Sequence, residues 1–482
     1  MLAVKIINHY GSKHAPGNIR NAVFCYFYGM KLRLLTTIFL CFAIFSHAQD
    51  SAALQRISDE VMLHGTCYSN LRTLCKTIGH RLSGSPEAAK AVFWAQKALE
   101  DAGADRVWLQ AVEVPHWVRG KEHLQLSIGK NAAFTEVPML SLGNAVGTNG
   151  KLLEAKIIMV NSFDAYRSLT DADVAGKIVF FNYRFRQDLV NTFQGYGDAG
   201  KYRWHCPSLA SAKGAAGLII RSISTGADDV PHTGSTHYTD SVKPIPAVAI
   251  GNATADKLEE QCNKGTVMAR LQTECRMAGT AMSYNVIGEI KGSQYPDEVV
   301  LAGGHLDSWD VGEGAHDDGA GCVQAIEMIR TFKALGIRPK RTVRTVLFMN
   351  EENGVKGGYA YADSATHSRE HHIMAIESDA GGFSPRGFGL EMPEDKKKKI
   401  RFYAPLFMPY GVYDFSQEEG GVDITPLGRQ GVPMAGLLPD PQRYFDLHHT
   451  NSDVFEAVNH RELKLGAAVM TGLVYLVSEY GL

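Results

Sequence analysis

EVVLAGGHLDSWDVGEGAHDDGAGCVQAIEMIRTFKAL, residues 298–335, decides how the rest of the chain is read. It opens on an apolar run, EVVLAGG, and closes on a helical pattern from Cys322 to Leu335. An apolar strand followed by a helix is the repeating unit of an α/β sheet with largely parallel strands. Between strand and helix lie His305, Asp307, Asp310, Glu313, His316, Asp317 and Asp318, set among glycines. A buried strand cannot hold so many charges. A solvated loop has little use for so many glycines. The stretch therefore asks which of these groups bind a metal.

The same pattern recurs downstream. TVRTVLFMN (342–350), HHIMAIESD (371–379) and GVPMAGLL (431–438) are apolar strands, and LKLGAAVMTGLVYLVSEY (463–480) is a closing helix. Upstream, SPEAAKAVFWAQKALEDAGA (85–104) has helical spacing, with Ser85 as N-cap, Pro86 at the first helical position and Gly103 near the stop. GHRLSGS (79–85) before it reads as a turn, and residues 105–140 alternate in short β-like runs. Residues 141–280 have another texture, with short strands such as KLLEAKIIMV, GKIVFFNY, GLIIR, IPAVAIG and TVMARLQTE, and one helix-like stretch from His205 to Gly217. This segment reads as a β-rich module inserted into the α/β domain. The expected parts are a catalytic portion at 49–140, the insert at 141–280 and the rest of the catalytic domain at 281–482, with 1–48 set apart. The fold class expected is α/β, a mixed but mostly parallel central sheet flanked by helices.

At 482 residues the chain is about twice what a single core usually supports, which suits a large domain plus an insert. A formal net charge of −2 gives no electrostatic case for nucleic acid or an anionic membrane. The run Lys396–Lys399 reads as a solvated loop or a helix end. From Met30 the chain reads MKLRLLTTIFLCFAIFSHAQD: a basic start, an apolar run from Leu34 to Phe45 and a small-x-small site at Ser46-His47-Ala48. This is the pattern of a signal peptide, too short for a comfortable membrane span. The native start is expected at Met30, cleavage after Ala48, and a secreted or periplasmic product. Beyond the leader, Cys67 with Cys75 or Cys262 with Cys275 are close enough in sequence to pair, but spacing does not fix connectivity.

In an open α/β sheet, ligands bind beyond the carboxyl ends of the strands. Polar groups follow every apolar run there: His305 and Asp307, Glu351 and Glu352, Asp379, and His448-His449 after a loop. Each alone reads as a surface or satisfied polar group, as His316, Asp310 and Glu313 do; in the insert the only potential metal ligands with tight spacing are His232 and His237, in a polar loop. Their convergence is what favours a metal, since adjacent carboxylates repel and divalent cations relieve that. Mixed His and carboxylate donors suit zinc best, with manganese or cobalt as other candidates. Spacing leaves His448 and His449 as alternatives.

GGHLDSW, HDDGAG, MNEENG, ESDAGG and HHTNSD, in that order, resemble the co-catalytic zinc peptidases of family M28, and within it the carboxypeptidase Q branch. The resemblance runs from about Leu74 to the C-terminus. GHRLSGSPEAAKA is similar to that family's N-terminal signature, and DVAGKIVFFN, ASAKGAAGLIIR and IPAVAIGNATADKL resemble a protease-associated domain. The resemblance implies two zinc ions per chain. His305 and Asp379 would hold one, Glu352 and His449 the other, and Asp317 would bridge both. It implies Glu351 as general base towards a water shared by the metals, and Asp307 as the carboxylate orienting His305. It places a cis peptide at Asp317-Asp318. Tyr444 is a candidate extra oxyanion donor. The branch implies a homodimer acting on dipeptides or short peptides with free termini. An aminopeptidase on longer peptides is the alternative reading. A receptor-like protein without catalysis and a glutaminyl cyclase are disfavoured by the intact ligand set, and a serine hydrolase by the lack of any GxSxG stretch.

Overall fold

Fifteen strands can be traced in the computed structural model, which describes residues 49–128 and 133–482. In chain order they are β1 (Arg106–Val118), β2 (Glu122–Ser127), β3 (Phe134–Glu136), β4 (Met139–Ser141), β5 (Leu153–Val160), β6 (Ile178–Phe181), β7 (Gly217–Arg221) and β8 (Ala247–Ile250). Then follow β9 (Met268–Thr273), β10 (Arg276–Ile290), β11 (Tyr295–His305), β12 (Arg341–Phe348), β13 (His371–Glu377), β14 (Pro385–Glu391) and β15 (Met434–Pro439). The chain divides into two units, Met1–Arg56 and Ile57–Leu482. Of the first, residues 49–56 are described and are helical. The proposed leader and start at Met30 lie outside the described residues.

The first sheet runs β1-β10-β12-β11-β13-β15-β14. β12, β11, β13 and β15 are mutually parallel. The edges are antiparallel, β1 and β10 on one side and β14 on the other. The parallel strands are apolar nearly throughout because helices cover both faces. On β12, Thr345 donates its hydroxyl to the Ala325 carbonyl in the helix Ala320–Ala334, at 2.8 Å. Its neighbour Val346 points the other way and clusters with Tyr361 and Ala362 of the helix Lys356–Thr366. The closing helix, His460–Tyr480, packs on Ala320–Ala334 and on β11.

The second sheet runs β3-β2-β9-β5-β6-β7-β8-β4, with β5 to β8 parallel. Its strands start at Glu122, ahead of the change of composition at 141. The long antiparallel pair β1 and β10 carries the chain out to this sheet and back. One face packs on the helix Asn252–Lys264 through Ala255 and Leu258. The other packs on the helix Thr192–Ala212 through Tyr202, Cys206 and Ala210, and that cluster also takes in Trp117 and Trp309. The second core therefore reaches into the loop after β11. Lys396–Lys399 lies in the helix Glu394–Phe402, where Lys397 is buried and paired with Glu418. The six described cysteines are all unpaired. Among the described residues no helix is long and apolar enough to cross a membrane.

Candidate metal centre

The four parallel strands of the first sheet end at one edge. β11 ends at His305, β12 leads into Glu351 and Glu352, and β13 leads into Asp379. The loop after β15 passes through the short helix Tyr444–Leu447 and delivers His448 and His449. Asp317 comes from the turn Ala315–Gly319 at the head of the helix Ala320–Ala334, and its peptide bond to Asp318 is cis.

Asp317 stands between two donor sets. Its Oδ1 lies 3.2 Å from His305 Nε2, which is 3.3 Å from Asp379 Oδ1. Its Oδ2 lies 3.1 Å from His449 Nε2, which is 3.2 Å from Glu352 Oε2. Each oxygen of one carboxylate thus faces its own imidazole and its own second carboxylate. Donors at ~2.0–2.1 Å from a tetrahedral ion sit about 3.3 Å from one another, so these separations fit one small cation on each side. His448 is more remote, with Nε2 3.5 Å from Asp317 Oδ2, and its ring stacks on His449 at 3.4 Å between centroids.

The tautomers fit as well. His305 Nδ1 faces the Asp307 main-chain carbonyl at 3.0 Å, and His449 Nδ1 faces the Thr233 carbonyl at 3.3 Å. A carbonyl only accepts, so each Nδ1 carries the hydrogen, and each Nε2 is the nitrogen that can turn a lone pair inward to a cation. Asp317 Oδ2 is buried and makes no hydrogen bond. Lone pair facing lone pair at such range is unfavourable until a cation lies between them.

The electrostatics agree. Burial, reinforced by Asp379 and Asp317, pushes Glu351 well above the usual carboxylate range. Burial and then Asp317 do the same to Glu352. Burial opposes charge on His305, but Asp379 and Asp317 outweigh it and raise its pKa well above normal. Burial also opposes ionisation of Asp317, yet the imidazoles of His305 and His449 outweigh it and hold that carboxyl well below its usual value. This strand edge draws positive charge, and a divalent cation supplies it without protons.

Groups that do not face the centre hold it in place. The Asp307 carboxylate is 3.9 Å from His305 Nδ1 and instead accepts from the Asn350 and Glu351 amides at 2.7 and 3.1 Å. It is Asp307's carbonyl that orients the His305 ring, while its carboxylate fixes the turn carrying Glu351 and Glu352. Asp318 accepts from the His305 amide at 3.0 Å and the Gly321 amide at 2.9 Å, joining the strand end to the helix start. A Cβ on Gly304 or Gly321 would come within 2.2 or 2.6 Å of the Asp318 carboxylate, so both positions need the bare backbone. His316 is buried away from the centre. Its Nδ1 accepts from the Gly382 amide at 3.0 Å and its ring stacks on Phe383. Asp310 pairs with Arg119, and Glu313 with Lys76.

Sequence reasoning passed over several of these supports. Arg81, in the turn GHRLSGS, is fully buried and donates to the carbonyls of Leu306, Glu313 and Gly314 at 2.6, 2.8 and 2.9 Å. Asp453, quoted within HHTNSD but given no role, accepts from the His316 and Asp317 amides at 2.7 and 3.2 Å. Trp309 donates its amide to Glu352 Oε1 at 3.1 Å. The insert adds Thr233, whose amide donates to the His449 carbonyl at 3.0 Å, and His232, whose Nδ1 is 2.8 Å from the His448 carbonyl. The signal available for Arg81, Trp309 and Asp453 was their place inside the motifs GHRLSGS, GGHLDSW and HHTNSD.

A cavity of about 650 Å³ opens over the centre. Asp317, Glu351, Glu352, Asp379 and His449 line it from the first sheet, and Phe193, Tyr196, Arg203 and Ser235 from the insert. Tyr444 lines it too, and burial pushes its phenol well above the normal range.

A buried carboxylate shared by two His-carboxylate pairs, at the carboxyl edge of a mixed α/β sheet, defines a hydrolase of the metallopeptidase kind. Residues 285–474 match peptidase family M28. The chain belongs to that family. It is 31% identical to carboxypeptidase Q of Bos taurus over 455 residues, covering 91% of this chain and 94% of the relative. It is 33% identical to carboxypeptidase Q of Homo sapiens over 413 residues, covering 86% and 85%. Its fold is similar to the crystal structure of a peptidase M28 precursor from Shewanella amazonensis, with TM-score 0.85, 31% identity, and coverage of 90% of this chain and 97% of that one.

Proposed function

We propose that this peptidase is an exported exopeptidase that hydrolyses dipeptides or short peptides with free termini, using two zinc ions per chain. The observation that carries the reading is Asp317, with one oxygen 3.2 Å from His305 and the other 3.1 Å from His449. His305, Asp379 and Asp317 would hold one ion, and Glu352, His449 and Asp317 the other. Such ions act as Lewis acids on a scissile carbonyl and make a water acidic near neutral pH.

The chain's own residues supply the rest. Glu351 lines the cavity without belonging to either donor set, which places its carboxylate to take a proton from the attacking water and return it to the leaving amine. Asp307 fixes the Glu351 amide, so the base is held at its post. Phe193, Tyr196 and Phe445 wall the cavity with aromatic surface that excludes bulk water. The cavity volume lies within the range usual for sites that take small ligands. Export is the reading of the leader-like stretch MKLRLLTTIFLCFAIFSHAQD, and a homodimer is what the resemblance to the carboxypeptidase Q branch implies.

The test is elemental analysis joined to turnover. Glu351→Ala is expected to abolish dipeptide hydrolysis while zinc stays near two per chain. Retained turnover would remove Glu351 from the mechanism, and a zinc-free purified protein that is fully active would remove the metals.

A further inference from the structure

We infer that His448 is a further ligand of the ion assigned to Glu352 and His449, so that protein donors close this side of the centre while the His305 side keeps an open position. This rests on the two-ion reading above and adds to it a residue and a difference between the two ions. The donor atoms of Asp317, His448 and His449 all lie within 4.8 Å of one another, and all three residues are buried. His448 lines the cavity, but its Nε2 faces Asp317 Oδ2 at 3.5 Å, the same oxygen that His449 Nε2 faces at 3.1 Å.

The backbone presents both rings on one side. Leu447 to Thr450 is a tight turn, with the Thr450 amide donating to the Leu447 carbonyl at 3.2 Å. His448 has φ −50° and ψ 123°, and His449 has φ 64°. That is a type II turn, whose second central position needs a positive φ and is usually a glycine. A histidine there is strained, and such a residue persists only where its surroundings over-determine it. In a strand, successive side chains point to opposite faces. Here the turn stacks them, with ring centroids 3.4 Å apart and planes 22° from parallel. The His448 amide donates to the Tyr444 carbonyl at 2.9 Å, and its carbonyl faces His232 Nδ1 at 2.8 Å, so the turn is held from both ends. Tyr196, Tyr444 and Phe445 pack around the His448 ring.

The separation decides what the ring is for. Donors of one tetrahedral zinc sit about 3.3 Å apart, and the 3.5 Å from His448 Nε2 to Asp317 Oδ2 is close to that. It is too long for an N–H···O hydrogen bond, roughly 2.7–3.2 Å, and Asp317 Oδ2 makes no hydrogen bond. The nitrogen therefore serves as a lone pair beside a cation and not as a donor to the carboxylate. Zinc sites with four protein ligands are closed, whereas those that react keep three and an open position. Asp317, Glu352, His449 and His448 make a site of the first kind, and His305, Asp379 and Asp317 one of the second. A substrate atom that needs a place on a metal finds it beside His305 and Asp379.

The test loads the protein with cobalt(II) in place of zinc and counts bound imidazoles by proton NMR in water. An imidazole bound through Nε2 gives one far-shifted Nδ1–H signal that disappears in deuterium oxide. The wild type is expected to show three, from His305, His449 and His448. His448→Phe keeps a ring against His449 without a donor and is expected to lose one of them. The metal-free forms of the two proteins should share one thermal midpoint, which separates a lost ligand from a damaged fold. In chelator titrations of the zinc-loaded proteins, the variant should release one ion at a concentration lower by at least about tenfold and the other as the wild type does. Only two signals in the wild type, or the same release from both proteins, takes His448 off the metal and leaves Glu351 and the other ligands as they stand. Fewer than two cobalt ions bound per wild-type chain overturns the two-ion reading itself.

Discussion

Asp317 shows how much one side chain can be asked to do. Its two oxygens face His305 and His449 separately, at 3.2 and 3.1 Å. An amide in its place would put an NH2 group, a donor, against one of two inward-facing lone pairs. Asp317→Asn is nearly isosteric, so the fold should survive. Zinc bound after dialysis is expected to fall from about two to one or fewer per chain, and two ions retained at wild-type affinity would refute the bridging role. The convergence was readable from the sequence because His305, Glu351, Glu352 and Asp379 each follow an apolar run, and the strand-end rule brings distant residues together; Asp317 and the choice of ligands came from the family resemblance. His448 against His449 was not readable. Adjacent residues differ by geometry alone, and the structure separates them by 3.5 against 3.1 Å to the same oxygen.

Among the elements, β12 carries a second charged group that has nothing to do with the metal centre. Arg344 sits opposite Glu289 on β10 and is 4% exposed. It also pairs with Glu370 at 2.8 Å and donates to Tyr361 Oη at 3.0 Å. Tyr361 then donates to His372 Nε2 at 2.8 Å, which requires that imidazole to be neutral. Burial, and then the Arg344 charge, lower His372 to about 4. An unfolded histidine titrates near 6.5, so the unfolded chain takes up a proton first as pH falls. This group's contribution is thus complete above about pH 6.5 and is lost as pH falls towards 4, by up to about 1.4 kcal/mol per unit. His372→Gln keeps an acceptor for Tyr361 but does not titrate. Denaturant unfolding of the two proteins between pH 7 and 4.5 should give converging curves, with the wild type losing stability faster; parallel curves would contradict the assignment. The same strand shows where sequence reading stops. TVRTVLFMN declares a buried strand by its apolar run, yet Arg344 inside it is explained only by partners far away in the chain. β14 was missed altogether, because PRGFGLE reads as a glycine turn until it is seen lying along β15.

Over the whole molecule, the insert behaves as part of the centre and not as an appendage. Thr233 and His232 hold the His448-His449 backbone, Arg119 at the end of the β1 connection pairs with Asp310, and Trp309 is packed in the core of the second sheet. Gly143, just after β4, is where this junction is tightest. A Cβ there would lie 1.8 Å from Trp309 Cη2 and 2.3 Å from Cζ3, and the indole, 2% exposed, has nowhere to go. Trp309 is edge-on to His449 at 5.7 Å and its amide holds Glu352, so any shift of the ring reaches the second donor set. Gly143→Ala is therefore expected to cost about 1–3 kcal/mol by overpacking. On the two-zinc proposal, it should also weaken the ion that Glu352 and His449 would hold more than the ion that His305 and Asp379 would hold. Gly197, in the helix Thr192–Ala212, has open space around it, and Gly197→Ala should leave both zinc sites as they are while raising stability slightly. Stepwise zinc removal with a chelator, followed together with the thermal midpoint, separates these outcomes. If Gly143→Ala lowers the midpoint but both ions still leave at wild-type chelator concentrations, the insert is joined to the fold without being joined to the chemistry.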